Sequence, residues 1–85
     1  MSFLHDTRTS EDFAYDKVPK YQFAIYSQRG RVPTWELESS AADEWQARQF
    51  FQQYQTWGIP DMTYLLVDWA EQQPLAIYRA KEAAQ

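Results

Sequence analysis

The chain has 85 residues, no cysteine, one histidine and a net charge of −4. This length allows a single domain, and the absence of cysteine excludes disulfide bonds as a supplement to a small core. A single histidine excludes a metal site built from several histidines. The negative charge disfavours a general nucleic-acid-binding protein, which usually carries a basic excess.

Aromatic residues make up 18% of the chain, with four Trp, six Tyr and five Phe. Each aromatic side chain buries a large area for few rotatable bonds, so we first interpret them as core residues of a small domain. An excess of them on the surface would indicate a binding face. No apolar run has the length of a membrane span, and the first residues do not resemble a signal peptide. We therefore expect a cytoplasmic protein without a membrane segment.

Residues 1–20 mix charges with scattered aromatics, and Pro19 interrupts regular structure. This composition predicts a loosely held, partly disordered N-terminal arm that Phe13 and Tyr15 attach to the rest of the molecule. Residues 21–85 then form one α+β domain.

The first part of that domain has the pattern of a β-hairpin. Residues 21–26 alternate in the manner of a strand. Residues 27–31 form a turn in which Gly30 supplies a positive φ. Residues 32–38 form the returning strand. Because Pro33 cannot donate a ladder hydrogen bond, this strand should lie at a sheet edge or be irregular at its start.

A helix is predicted over about residues 41–57. Ser40 is a suitable N-cap, with Asp43 three residues later. Gly58 is placed to end the helix in a left-handed conformation. One apolar stripe at helical spacing should face the core. It consists of Ala47, Phe50, Phe51, Tyr54 and Trp57.

Two further strands follow the helix. Residues 62–69 are almost continuously apolar, which is typical of a central strand buried on both faces. Residues 75–80 form the last strand. The predicted order is ββαββ: a four-stranded, mostly antiparallel sheet with the helix packed on one face.

The polar side of the helix carries an unusual tryptophan. Trp45 lies about 160° around the helix from Ala47, and past the first turn Arg48 is the one charged residue of the helix. Interface centres are poor in charge and rich in aromatics. Two interpretations are open. Either this face docks on a partner, or Trp45 folds over a neighbouring loop or the N-terminal arm, where it would cover Phe13 or Tyr15. The face consists of Trp45, Gln49, Gln52 and Thr56.

The sheet raises a similar question. Because one helix covers one face, several of its aromatics should point away from the helix. An exposed aromatic sheet face is unusual on a monomer. It therefore indicates self-association or a groove for another protein or a ligand, unless residues 1–20 pack over it. The residues concerned are Trp35, Tyr64, Trp69 and Tyr78.

The sequence contains no set of residues that predicts catalysis. A nucleophile needs an activating base, and the one histidine, His5, lies in the arm. We interpret Glu36 and Glu38 as residues on a solvated strand face. Two glycines are too few for a phosphate-binding loop, and neither zinc nor calcium ligand spacing is present. We therefore predict no enzyme, cofactor or metal.

These observations predict a non-catalytic protein–protein interaction module of adaptor or inhibitor type. Its partner is another protein or a second copy, in a homodimer, and its contacts are Trp45, Gln49, Gln52 and Thr56. The alternative is a small nucleic-acid-binding protein that combines sheet aromatics with a basic hairpin tip. Its phosphate contacts would be Arg29, Arg31, Lys17 and Lys20.

Overall fold

A computed structural model describes residues 13–30 and 34–80. Within these residues the chain forms one helix and a four-stranded sheet, which confirms the α+β fold and the order of its elements. Within the described residues, no helix has the length and apolar character needed to cross a membrane. The elements are β1 (Phe23–Arg29), β2 (Glu36–Ala41), α1 (Glu44–Trp57), β3 (Met62–Asp68) and β4 (Gln73–Arg79).

The strands lie in the order β2-β1-β3-β4, and every neighbouring pair is antiparallel. Strands β2 and β3 both run antiparallel to β1, so they are parallel to each other and need a crossover connection. Helix α1 is that connection, and it packs across β1, β2 and β3. The edge position predicted for the strand after the first turn is confirmed, since β2 is an edge strand.

The two central strands have no solvated face. Ala24, Ile25 and Tyr26 alternate between the two faces of β1, and all three are fully buried. Strand β3 is buried along both faces, as its apolar run predicts. On the helix side the buried residues are Ile25, Ala41, Ala47, Phe51, Met62, Tyr64 and Leu66. On the opposite side they are Phe13, Ala24, Tyr26, Trp35, Leu65 and Val67.

The segment before β1 covers the side of the sheet that the helix leaves open. Phe13 is only 8% exposed, and its ring makes edge contacts with Tyr15, Tyr26 and Trp35 at centroid distances of 4.8, 4.7 and 5.6 Å. Trp69 packs against the same cluster. Part of the N-terminal arm therefore packs over the second face, around Tyr26 and Trp35. Tyr64 and Tyr78, by contrast, pack on the helix side.

Several element boundaries differ from their predicted positions. Strand β1 continues to Arg29 because it pairs with all of β3, where Arg29 lies opposite Met62. Strand β2 occupies Glu36–Ala41, so it ends three residues later than predicted. Of its predicted start, residues 34 and 35 lie outside the strand, and residues 32 and 33 are not among the described residues. Strand β4 begins at Gln73, two residues early.

The helix begins later than predicted because β2 continues into its expected start. Ser40 is a strand residue that pairs with Ala24, and its Oγ accepts a hydrogen bond from the Tyr21 N–H at 3.3 Å. The N-cap is Asp43, whose Oδ1 accepts from the Gln46 N–H at 2.8 Å. The Ser40 cap is therefore wrong, and the helix begins at Glu44.

The two glycines serve different purposes. Gly30 has a φ of 52°, which confirms the positive φ predicted for the turn. Gly58 follows the helix with a φ of −61° and a ψ of 148°, so the predicted left-handed ending is wrong. Glycine is needed there for close approach: a Cβ atom would lie 2.3 Å from the Tyr54 carbonyl oxygen and 2.8 Å from Tyr64 Cε2.

Trp57 is not a core residue, contrary to the predicted stripe. Its side chain is 82% exposed. The fully buried helix positions are Ala47 and Phe51, and Trp57 lies about 120° around the helix from Phe51. Phe50, which packs against the core, lies only about 20° from Trp57. The exposure of Trp57 therefore goes with its place as the last residue of the helix and not with its angle around it.

Phe13→Ala should lower the free energy of unfolding by about 3 kcal/mol, because it empties an aromatic site between the sheet and its cover. Urea unfolding followed by circular dichroism measures this loss. Val18→Ala is the matched control: it lies in the same segment with an exposed side chain and should change stability by less than about 0.5 kcal/mol. Equal effects would show that Phe13 does not stabilise the core.

Gly58→Ala should lower the free energy of unfolding by about 2–3 kcal/mol, since its Cβ would overlap a backbone oxygen that cannot move aside. Gly30→Ala, at a left-handed position, should lower it by about 1 kcal/mol. Thermal and urea unfolding of the two variants give the comparison. A smaller loss at Gly58 than at Gly30 would contradict the close-approach explanation.

Candidate functional site

The helix outer face, defined as Trp45, Gln49, Gln52 and Thr56, is exposed along its whole length. Trp45 is 72% exposed at its N-terminal end. The spacing of these residues places them within one side of α1, away from the buried Ala47 and Phe51. The structure therefore brings the four predicted contact residues together on one solvent-facing strip.

Trp45 covers neither Phe13 nor Tyr15. Phe13 and Tyr15, the residues it would have covered, pack against Tyr26 on the side of the sheet opposite the helix. That interpretation of Trp45 is wrong, and its indole is left facing solvent. A large exposed aromatic is a common mark of an interaction surface.

The charges near Trp45 compensate each other. Arg48 Nε lies 2.8 Å from Glu44 Oε2, and both side chains are about half exposed. An exposed i, i+4 pair of this kind contributes less than about 1 kcal/mol. Breaking this ion pair on binding therefore costs little free energy. The neighbouring glutamines are uncharged, so burying them does not remove an ion from water.

A second surface lies where the helix ends. A cavity of about 340 Å³ opens between the last turns of α1, the chain after it and the sheet. We call it the helix-end cavity. Its lining residues are Glu38, Gln53, Tyr54, Trp57, Ile59, Met62 and Tyr64.

The inner wall of the helix-end cavity is fixed by an aromatic pair. The Tyr54 and Tyr64 rings stack with centroids 4.8 Å apart and planes 28° from parallel. Tyr64 Oη accepts a hydrogen bond from the Ile59 N–H at 3.2 Å, and Tyr54 Oη bonds to Ser39 Oγ at 3.4 Å. These contacts join helix, connection and sheet, so the wall exists without a ligand.

Glu38 supplies the cavity's one carboxylate. Leu37 pairs with Tyr26 and Ser39 pairs with Ile25, so Glu38 is the extra residue of a β-bulge. Its Oε2 accepts a hydrogen bond from Ser27 Oγ. Glu38 is exposed, as the predicted solvated strand face requires, but it also borders the cavity.

The residues of the nucleic-acid alternative are spread along the molecule. Arg29 ends β1, whereas Lys20 lies before its start with its ammonium 5.4 Å from the Tyr21 ring centre. The seven-residue strand between them spans about 20 Å. The Tyr26 hydroxyl donates a hydrogen bond to the Lys17 carbonyl oxygen, so Lys17 lies near Tyr26. Arg31 is outside the described residues. The structure therefore does not join Arg29 and Lys20 into one patch.

Two tyrosines between the sheet and its cover have altered acidity. Burial raises the pKa of Tyr26 to about 12; the nearby Trp69 indole opposes this rise, and Asp16 and Tyr15 add to it. Burial and then the charge of Asp68 raise the pKa of Tyr15. The Nε1 atoms of Trp35 and Trp69 are buried without a hydrogen bond of normal geometry. This cluster therefore forms the core on the side of the sheet opposite the helix.

Neither surface has the composition of a metal centre: among residues 13–30 and 34–80, no group of three or more His, Cys, Asp or Glu side chains is placed to hold an ion.

Models of known protein families do not match the chain, and neither do the curated proteins and solved structures compared with it. What the two surfaces bind is therefore inferred from their shape, charge and chemistry.

Stability should fall as the pH rises from about 10 towards 12. Unfolded tyrosine loses its proton near pH 10, whereas folded Tyr26 keeps it to about pH 12. The stability that this difference contributes is complete below pH 10 and is lost as the pH approaches the folded pKa. Urea unfolding at several pH values measures the trend.

Tyr26→Phe separates this effect from the other tyrosines. At pH 8 it should lower the free energy of unfolding by about 1 kcal/mol, since the hydrogen bond to the Lys17 carbonyl is lost. Between pH 9 and 11.5 it should lose less stability than the parent protein. The same loss in both proteins would contradict the raised pKa.

Proposed function

We propose that this chain is a non-catalytic protein–protein interaction module, of adaptor or inhibitor type, that docks through the helix outer face. The observation that supports this most directly is the exposure of Trp45, which is 72% exposed on a strip that carries no unpaired charge. Tryptophan is among the residues most enriched at the energetic centres of interfaces. The proposal includes neither catalysis nor a cofactor, and it assigns the chain to the cytoplasm.

The chemistry of the strip suits docking. Gln49, Gln52 and Thr56 can lose water without removing an ion from solvent, and their amide and hydroxyl groups can hydrogen-bond across an interface. Ala47 and Phe51 hold the helix on the sheet from its other side. The strip is therefore presented on a rigid element, which lowers the entropy lost on binding.

The partner is a different protein or a second copy of this chain. Phe13 and its neighbours pack over the second sheet face, which favours the helix outer face over that sheet face as the surface for a homodimer. Self-association through the helix outer face remains within the proposal. Most homodimers have a twofold axis, so that both subunits use the same surface patch. In a homodimer of this chain, the helix outer faces of the two copies would pack against each other.

Trp45→Ala and Gln52→Lys should each weaken association at least about tenfold, because one removes the aromatic anchor and the other buries a charge. Sedimentation velocity measures self-association. Capture on immobilised protein with quantitative mass spectrometry identifies another partner, whose affinity is then measured with the purified partner. Both variants should retain stability within about 0.5 kcal/mol.

Gln46→Lys is the matched control for Gln52→Lys. It places the same charge on the same helix, about 120° away from Gln52, and should leave association unchanged. Three results would contradict the proposal: no association of either kind, equal weakening by both lysine variants, or a large loss of stability in Trp45→Ala with association intact.

A further inference from the structure

The helix-end cavity combines aromatic and apolar walls with a single carboxylate. Tyr54, Tyr64 and Trp57 contribute the rings, Met62 and Ile59 the aliphatic surface, and Glu38 the charge. We propose that this cavity binds a basic side chain, lysine or arginine, presented by a partner protein. This chemistry follows from the lining residues and does not rest on the function proposed for the helix outer face.

Charge complementarity selects a cation. The lining residues include one carboxylate and no lysine, arginine or histidine. Ser27 bonds to one oxygen of Glu38, which leaves the other oxygen to accept from a ligand. A bound ammonium or guanidinium would donate to that second oxygen.

The aromatic walls favour the same ligand. A cation is attracted to the faces of aromatic rings, most strongly to that of tryptophan, and an arginine fork can also stack on them. The aliphatic stem of lysine or arginine buries well along apolar surface while its head stays at the polar end. The cavity offers both parts: an apolar channel and a carboxylate at its border.

Size and surroundings favour a protein side chain over a free small molecule. At about 340 Å³ the cavity is at the small end of ligand sites. Trp57 and Ile59 extend outward from it and remain 82% and 54% exposed. A small cation would leave this apolar rim in water, whereas a polypeptide that inserts one side chain would cover the rim as well.

The site is already shaped for binding. The Tyr54–Tyr64 stack and the Ile59–Tyr64 hydrogen bond fix the wall, and the missing side chain at Gly58 allows the chain to pass close to both rings. Little ordering is then needed on binding.

The cavity and the helix outer face can succeed or fail separately. Trp45 and Trp57 are twelve positions apart, which corresponds to about 18 Å along the axis and about 120° around it. Substitutions at one position therefore leave the other surface intact.

The test is a two-dimensional NMR titration of the intact protein at fixed ionic strength. The probes are N-acetyl-lysine-N-methylamide, its arginine counterpart, its uncharged norleucine counterpart, and tetramethylammonium. We expect the lysine or arginine probe to shift the Trp57 indole and Tyr64 signals in a saturable way, with the norleucine probe at least about fivefold weaker. The Trp45 indole should not move.

Glu38→Gln and Glu36→Gln form a matched pair, since they remove the same charge from neighbouring exposed residues of β2, of which only Glu38 lines the cavity. Glutamine at position 38 can still accept the Ser27 hydrogen bond, so folding is preserved; unchanged amide spectra away from the site confirm it. Glu38→Gln should weaken the basic probes about fivefold or more, and Glu36→Gln less than about twofold. Trp57→Ala should also weaken them.

Four results would overturn the proposal. These are no saturable shift with either basic probe, equal binding of the norleucine probe, binding of tetramethylammonium alone, and equal effects of the two glutamine substitutions. The second would make the cavity a plain apolar site, and the third a site for free small cations.

Discussion

Strands β1 and β3 are buried on both faces, and the rest of the molecule is arranged to satisfy that constraint. A sheet with two apolar faces needs two covers. Helix α1 supplies one through Ala47 and Phe51. The segment around Phe13, together with Trp35, supplies the other. In a chain this short, each cover is a single layer. The outer surface of an element that packs on the sheet is therefore also the surface that a partner can reach.

This arrangement explains why one helix carries both candidate surfaces. Its inner positions are fixed to the sheet, so its outer positions and its last turn are free to carry residues that the core does not need. Trp45 and Trp57 occupy those places, and both are largely exposed. Their indoles stabilise little within the chain, while their position on a packed helix holds them in fixed directions. That is the property an interaction surface requires.

Periodic patterns in the sequence predicted which elements form and in what order. The exact ends of the elements depend on contacts between distant residues, which the patterns do not show. The apolar run of β3 and the apolar spacing of α1 identified both elements and their order. Ser40 and Asp43 are both good caps, and only the pairing of Ala41 with Phe23 shows that the strand continues past Ser40. The helix outer face followed from periodicity. The helix-end cavity did not, because it depends on the bulge at Glu38 and the close approach at Gly58, neither of which is visible in local sequence.

The order of strands also affects how the chain folds during synthesis. The earliest described strand, β1, ends up inside the sheet, between β2 and β3. As the chain leaves the ribosome, β1 can pair with β2 at once, but its other edge has no partner until residues 62–68 emerge after the helix. An unpaired apolar edge readily pairs with another chain. A nascent or proteolysed chain that ends at the helix is therefore open to aggregation, and β3 is the segment that removes this risk.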